Sequence, residues 1–260
     1  ADPTVMSFSH AFITRPRKES EELAGMLQPL GLVAVIQPAF TYLRQDAQLT
    51  EPEVYEQLKV GKPADLLLFT SPRSVQHGLP QIPPVVLREA RIAAIGPATA
   101  QALSDAGIRV SVTPNSGFTS EDLLATLKAE RPAGQSKAAG AFIIAAPGGR
   151  AKLSEGLQQL GWSVRTVHVY KSEPEALDKQ SLAELENATG ILSVWTSGNA
   201  IKALSHRLPP AVWFRLCQGE WLVISERLRR LARAYRPSAI HLAPGPGNTS
   251  ILTAIRSLVR

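Results

Sequence analysis

Six short stretches carry the residue types that could do chemistry. They are Thr14-Arg15-Pro16, Thr70-Ser71-Pro72-Arg73, Gly96-Pro97-Ala98-Thr99, Pro147-Gly148-Gly149-Arg150, Thr196-Ser197-Gly198-Asn199 and Ser225-Glu226-Arg227. Each follows an apolar run and precedes a helical pattern. Each therefore offers small residues, hydroxyls and backbone N–H groups at a helix start, where the macrodipole favours negative charge. A single turn of this kind says little, because Ser, Thr, Gly and Pro cap helices in any α/β protein. Six of them, several with an arginine, point to a cleft that binds an anion.

The charge balance agrees. The net charge is +6 and the pI is about 9.7, which fits either a solvated basic surface or attraction of a nucleic acid or polycarboxylate. The basic residues are dispersed apart from Arg227-Leu228-Arg229-Arg230, and no aromatic residues interleave with that cluster as a stacking surface needs. Nucleic acid is the weaker option. His10, His77, His168, His206 and His241 show no ligand spacing, and Cys217 is the only cysteine, so neither a zinc site nor an internal disulfide is expected. A lone cysteine suits a reducing cytoplasm.

The elements that must position these turns start with Phe142 to Pro174, which reads as a β-α-β unit. Phe142–Ala146 is a short apolar strand. Leu153, Leu157 and Leu160 fall at helical spacing, and Gly161 stops that helix. Val164 to Tyr170 alternates as an exit strand ending on a tyrosine, which places His168 and Tyr170 on one face. The same programme occurs earlier: Phe12 to Thr14, a turn, a helix with Leu23, Met26, Leu27 and Leu30, then Gly31 and a strand from Leu32 to Pro38. Leu27 to Gly31 matches Leu157 to Gly161, Phe12 matches Phe142, and Phe40 matches Tyr170, each 130 residues on. Phe69-Thr70-Ser71 matches Trp195-Thr196-Ser197, 126 residues on. Thr119-Ser120 recurs as Thr249-Ser250. The chain is a tandem duplication with a period too long for a solenoid, so two related lobes are expected.

Between these landmarks the pattern predicts a connecting helix over Gln45–Val60 and strands at Leu66–Phe69, Ile92–Ile95 and Val110–Val112. Ser71 is expected to cap a helix begun by Pro72, and Ser120 a helix through Leu127. Arg131–Ala139 reads as a loop separating the halves. Strands at Ile191–Trp195, Trp221–Ile224 and Ala239–Leu242 follow, with helices at Asn199–Leu204, Glu226–Tyr235 and Ser250–Val259. Alternating strands and helices predict parallel sheets covered on both faces, with ligands beyond the strands' carboxyl ends. The 260 residues suit two lobes, and 44% hydrophobic with 19% charged residues excludes disorder. No apolar run reaches eighteen residues, so no membrane span is expected, and no secretory signal is seen. Ala1–Val5 before Met6 reads as an expression remnant.

The order Thr14-Arg15-Pro16, Phe69-Thr70-Ser71-Pro72-Arg73-Ser74-Val75 and Ile95-Gly96-Pro97-Ala98-Thr99-Ala100 resembles the uroporphyrinogen-III synthase family. Gly148-Gly149-Arg150, Tyr170-Lys171 and Trp195-Thr196-Ser197-Gly198 continue the match, which covers Phe12 to Arg260. The motifs are short; their order and spacing carry the specificity. The resemblance implies an α/β protein of two similar lobes, with parallel sheets flanked by helices (flavodoxin-like, doubly wound), joined by a two-stranded β connector. Lobe 1 would be 6–38 with 172–260, lobe 2 would be 43–167, and the connector 39–42 with 168–171. The thin connector would permit hinge motion.

The resemblance also implies an enzyme. Linear hydroxymethylbilane would lose its hydroxyl as water, ring D would invert through a spiro intermediate, and the macrocycle would close as uroporphyrinogen III in haem and sirohaem biosynthesis. No metal or organic cofactor is implied. A substrate with eight carboxylates accounts for the basic balance, and because it closes unaided to the uninverted isomer, the protein's task is largely orientation. Tyr170 matches the family's connector tyrosine and is the candidate for helping the hydroxyl leave, since a phenol with a reference pKa of about 10 stays protonated at neutral pH. His168 could tune it. Arg15, Thr70, Ser71, Arg73, Gly96, Thr99, Gly149, Arg150, Thr196, Ser197, Ser225 and Arg227 are carried over as substrate-binding. Ile224-Ser225-Glu226-Arg227 departs from the glycine and paired threonines of some members; Arg227 would take the place of the missing hydroxyls. A cytoplasmic monomer is expected, with transient contact to hydroxymethylbilane synthase and no nucleic-acid or membrane partner. The alternatives are a two-lobed anion-binding protein without catalysis and a two-lobed glycosyltransferase, for which no acidic nucleotide-ribose partner stands out.

Overall fold

In a computed structural model the described residues are 8–60, 65–130, 139–149 and 151–259. Among them eleven strands follow one another: β1 His10–Ile13, β2 Val33–Ile36, β3 Phe40–Arg44, β4 Leu66–Phe69, β5 Arg91–Ala94, β6 Gly140–Ala145, β7 Ser163–His168, β8 Tyr170–Pro174, β9 Ile191–Trp195, β10 Glu220–Val223 and β11 Ala239–Leu242. The chain divides into two compact units, Ala1–Thr41 with Glu173–Arg260 (the split unit) and Tyr42–Ser172 (the middle unit). The dividing points fall inside β3 and β8, which pair as a two-stranded sheet of their own.

The split unit holds a parallel sheet in the order β11-β10-β9-β1-β2. Counted along the chain, that is 2-1-3-4-5 when read from β2, the flavodoxin-like order. The middle unit holds β5-β4-β6-β7, also parallel. Val112 extends this sheet by a single bridge to Ala93. With β6 and β7 matched to β1 and β2, and β4 and β5 to β9 and β10, the two sheets have one order and differ only in where the chain enters. That is the arrangement expected of a duplicated unit.

Central strands β1, β4 and β9 are buried at every position, because helices cover both faces and no residue can turn to water. Strand alternation then splits the side chains between two cores per sheet. Phe12 joins Trp195 and Trp221 on one face, while Ala11 and Ile13 join Leu23 and Ile251 on the other. In the middle unit Leu67 and Phe69 pack with Val75 and Leu103, and Leu66 and Leu68 with Leu123 and Leu157. Gly31 (φ 75°) and Gly161 (φ 86°) follow the first helix of each β-α-β unit in the left-handed region, where a side chain would be strained.

Several expectations are corrected. The exit strand does not run from Val164 through Tyr170: β7 ends at His168 inside the middle sheet, and β8 begins at Tyr170 and pairs with β3. Tyr170 thus starts a connector strand rather than ending the exit strand, and Phe40 starts the other. Val110–Val112 is not a strand beyond the one bridge. Gln45–Val60 forms two helices, Ala47–Thr50 and Pro52–Val60; Asp46 caps the first by accepting from Gln48 N–H at 3.0 Å, and Pro52 starts the second. Thr119, not Ser120, caps the helix Ser120–Glu130: its Oγ1 accepts from Asp122 N–H at 3.2 Å, and Asp122 Oδ2 accepts from Thr119 N–H at 2.8 Å. Helices Pro84–Glu89, Lys179–Ala183 and Pro210–Gln218 have no counterpart in the sequence reading. The expected remnant Ala1–Val5 and loop residues 131–138 lie outside the described residues.

Candidate functional site

In each sheet the strand order reverses at one place, between β1 and β9 in the split unit and between β6 and β4 in the middle unit. Open α/β sheets take ligands beyond the carboxyl ends of the strands at such a reversal. The turns there are Thr14-Arg15 and Thr196-Ser197 in one unit, and Thr70-Ser71 and Gly148-Gly149 in the other. A threonine hydroxyl bridges the two strands in both: Thr14 Oγ1 donates to Val194 O at 2.7 Å, and Thr70 Oγ1 to Ile144 O at 3.1 Å.

In the middle unit Ser71 is the N-cap of helix Pro72–Gly78, with a reciprocal box to Ser74. Ser71 Oγ accepts from Ser74 N–H at 3.1 Å and shares a 3.1 Å hydrogen bond with the Tyr170 hydroxyl. Ser74 Oγ in turn accepts from the N–H groups of Thr70 and Ser71, each at 3.1 Å. The turn is thereby rigid, and it presents one hydroxyl to the phenol. Around Tyr170 stand His77, with ring centroids 5.7 Å apart and planes at 29°, and Tyr42, with centroids 6.2 Å apart. The Arg73 guanidinium lies 3.7 Å over the Tyr42 ring. Burial lowers the His77 pKa below the usual imidazole value, and Arg44 and Arg73 lower it further, all favouring the neutral ring.

The other residues carried over in this unit are more dispersed. Gly96 is the N-cap position of helix Pro97–Asp105, with no side-chain cap, beside a cavity of about 580 Å³ that Arg109 and Phe118 also line. Thr99 is buried, 3% exposed. Gly149 is exposed, and a Cβ there would meet nothing closer than Ala146 O at 3.8 Å. Arg150 lies outside the described residues. His168 turns to Glu51: its Nδ1 hydrogen-bonds one carboxylate oxygen and its N–H donates to the other.

In the split unit Ser197 caps helix Gly198–Arg207 and Ser225 caps helix Glu226–Ala232. Between these turns lies a cavity of about 790 Å³, lined by Thr196, Asn199, Lys202, Arg227, Arg230 and Tyr235 among others, with no acidic residue in its wall. Among the described residues the side chains of Lys202, Arg227 and Arg230 have no carboxylate partner. Arg15 stands apart from this group: its Nη1 donates to Asn248 Oδ1 at 2.6 Å, and its Nε is buried without a partner. Burial lowers the pKa of its guanidinium, against the opposing pull of Glu19 and Glu22.

The geometry thus assembles a phenol with a hydroxyl partner in one unit and a cation-lined cavity in the other. Comparison with known proteins decides what this is. A family model described as Uroporphyrinogen-III synthase HemD matches residues 21–253. The chain belongs to the uroporphyrinogen-III synthase family. The uroporphyrinogen-III synthase of Escherichia coli (strain K12) is 29% identical over 251 residues, covering 94% of this chain and 98% of that one. That of Salmonella typhimurium is 29% identical over 254 residues, with the same coverage. Among solved structures, a mutant uroporphyrinogen III synthase from the extremely thermophilic bacterium Thermus thermophilus superposes with a TM-score of 0.65 at 16% identity, over 96% of this chain and 98% of that one. The uroporphyrinogen-III synthetase of Helicobacter pylori gives 0.60 at 16% identity, over 96% and 99%. These last two establish a shared fold, the two-lobed α/β architecture of the family.

Sequence reasoning did not single out His77, Tyr42, Lys202 and Arg230, which the structure places beside the candidate residues. Lys202 and Arg230 carried a usable signal, each lying five residues beyond a capping serine on the same helix. His77 and Tyr42 did not, since each meets Tyr170 only through the fold. No three described His, Cys, Asp or Glu side chains gather as a metal ion would require, and no described helix is long and apolar enough to cross a membrane.

Proposed function

We propose that this chain cyclises hydroxymethylbilane to uroporphyrinogen III, with Tyr170 as the group that assists departure of the hydroxyl. Family membership supports the reaction. The observation that carries the residue assignment is the Tyr170 hydroxyl held 3.1 Å from Ser71 Oγ at the strand-reversal turn. The atoms balance without a redox partner. The C–O bond of the hydroxymethyl group breaks, the phenol's proton leaves with the oxygen as water, and ring closure returns a proton from the attacking pyrrole. Ser71 Oγ can accept the phenol's hydrogen bond at rest and donate to the phenolate once the proton has left.

Lys202, Arg227 and Arg230 are proposed to hold substrate carboxylates, with Thr196, Ser197 and Ser225 at the same cavity. Arg15, Arg73, Gly96, Gly149 and Arg150 are proposed as further contacts. Thr70 and Thr99, being buried, are proposed to shape their turns so that backbone N–H groups face the substrate. A monomer working in the cytoplasm, and a transient hand-over from hydroxymethylbilane synthase, complete the reading; the lone cysteine, Cys217, supports the compartment.

The unpaired cations of the split unit also favour a second reading, an anion-binding protein that does no chemistry. One assay separates the two. Hydroxymethylbilane is incubated with the protein, the products are oxidised, and isomers I and III are resolved. Isomer III in excess of the unassisted background is expected; isomer I alone, with tight binding of the substrate, leaves only the second reading.

A further inference from the structure

Helix Pro72–Gly78 touches Tyr170 at both of its ends. At its start Ser71 Oγ meets the phenol oxygen, and in its last turn the His77 ring lies near-parallel against the phenol ring. This short helix is fixed along its length. The Ser71–Ser74 box ties its start. At its end a Cβ on Gly78 would come within 2.7 Å of Ile144 Cγ2 and 3.5 Å of Phe69, so the helix sits against the sheet as closely as a glycine allows. Next to it, Gln81 Nε2 donates to His77 O and to Gln45 O, each at 2.9 Å, while its Oε1 accepts from Ala47 N–H at 2.8 Å. Gln81 is itself buried. The backbone carrying His77 is therefore pinned to the chain just beyond β3, the strand that pairs with Tyr170's own.

Taking Tyr170 as the proton donor proposed above, we infer that His77 is a positioning residue for it: its flat ring fixes the plane of the phenol while Ser71 fixes the direction of the hydroxyl. A phenol turns about two side-chain bonds, and a hydrogen bond at its oxygen leaves ring rotation open. A stacked partner removes that freedom, and near-parallel aromatic pairs at this separation attract each other. Orientation of this kind acts on the chemical step more than on binding. The shape of the ring supplies the effect, and burial, with Arg44 and Arg73 in the same direction, favours its neutral form.

The test compares His77→Phe with His77→Leu in the full chain, reading isomer III formation as kcat and KM separately. His77→Phe keeps a flat ring and is expected to retain kcat within about twofold. His77→Leu fills similar space without a planar face and is expected to lose about tenfold in kcat with KM unchanged. In the Tyr170→Phe background the Leu change is expected to add no further loss, because the residue acts through the phenol. Equal activity of all three proteins, or equal loss in Phe and Leu, overturns the inference; so does a Leu penalty that persists undiminished without the Tyr170 hydroxyl. Should His77→Leu fail to fold, His77→Met, which also lacks a planar face, takes its place with the same expectation. A harmless Tyr170→Phe change instead removes the donor assignment, which separates the two failures.

Discussion

In the middle unit the hydroxyl that closes the strand reversal belongs to Thr70, on the turn after β4. In the split unit it belongs to Thr14, on the turn after β1. The residue that matches Thr14 in the repeat is Ile144, which has no hydroxyl, so Thr70 takes that task and donates to the Ile144 carbonyl instead. The residue that matches Thr70 is Thr196. With Thr14 already bonded to Val194, Thr196 is released from the task and lines the cation cavity. Two copies of one sheet thus use the same residue type differently: at the reversal of the middle unit a hydroxyl meets a phenol, and beside that of the split unit a threonine lines a cavity with three cationic side chains. The scaffold tolerates this because Thr196, unlike the buried Thr14 and Thr70, is partly exposed on its turn.

On that comparison, removing the phenol is expected to be the largest single loss. Tyr170→Phe is expected to lower isomer III formation by about 10²-fold or more, the usual contribution of a positioned acid, with the melting temperature unchanged. An isomer ratio and rate equal to the parent protein would remove Tyr170 from the chemistry and leave both units as binding surfaces only. Charge in the split unit should act on KM instead. Reversing Lys202 and Arg230 to glutamate places two acids in a wall that has none, and KM is expected to rise about tenfold to a hundredfold, the span of one or two lost charge-assisted contacts. Added salt should raise the parent's KM and narrow that gap. A change confined to kcat would mean that the cavity is not where the carboxylates sit.

The exchange of threonines can be tested on stability alone. Thr70→Val and Thr14→Val each remove a hydroxyl donor from a buried carbonyl and are expected to cost about 1–2 kcal/mol. Thr196→Val, at the position that matches Thr70 but carries no such bond, is expected to leave the melting midpoint where it was and to affect only KM. Equal destabilisation by Thr70→Val and Thr196→Val would break the comparison, since it would give both threonines the same structural task.

Much of this was legible in the chain itself. The shifts of 130 and 126 residues place β1 against β6 and β9 against β4, and the observed sheet orders follow that matching. The turns could be read because a capped helix start needs particular residues at fixed positions. Ser71 with Pro72 is the example. What could not be read is where one strand stops and the next begins near Tyr170. Val167 and Val169 are buried while His168 and Tyr170 are partly exposed, so the two-residue period runs unbroken through the point where the chain leaves the middle sheet for the connector. Periodicity records which face is buried, not which partner buries it. His77 was hidden for a related reason. Six residues separate it from Ser71, a spacing that puts them on different faces of a helix, and only a ring arriving from another strand can touch both.

The smallest effect concerns pH, and it compares one histidine in each unit. His10 in the split unit and His77 in the middle unit both have pKa values lowered from the usual 6.5, chiefly by burial. Around His10 the pull of Glu184 opposes that of Arg215; around His77, which stacks on Tyr170, both Arg44 and Arg73 act in the same direction as burial. A group with a lowered folded pKa binds fewer protons folded than unfolded in the window between the two values. Stability is therefore whole above the unfolded value of about 6.5 and is lost as pH falls from there through the lowered folded value. The melting temperature is expected to decline as pH drops below about 6.5. His77→Phe should flatten that decline more than His10→Phe, because only His10 has a carboxylate to offset the cost of charging it. A profile that declines as steeply in His77→Phe as in the parent would assign the acid sensitivity to other groups and leave the two histidines equivalent.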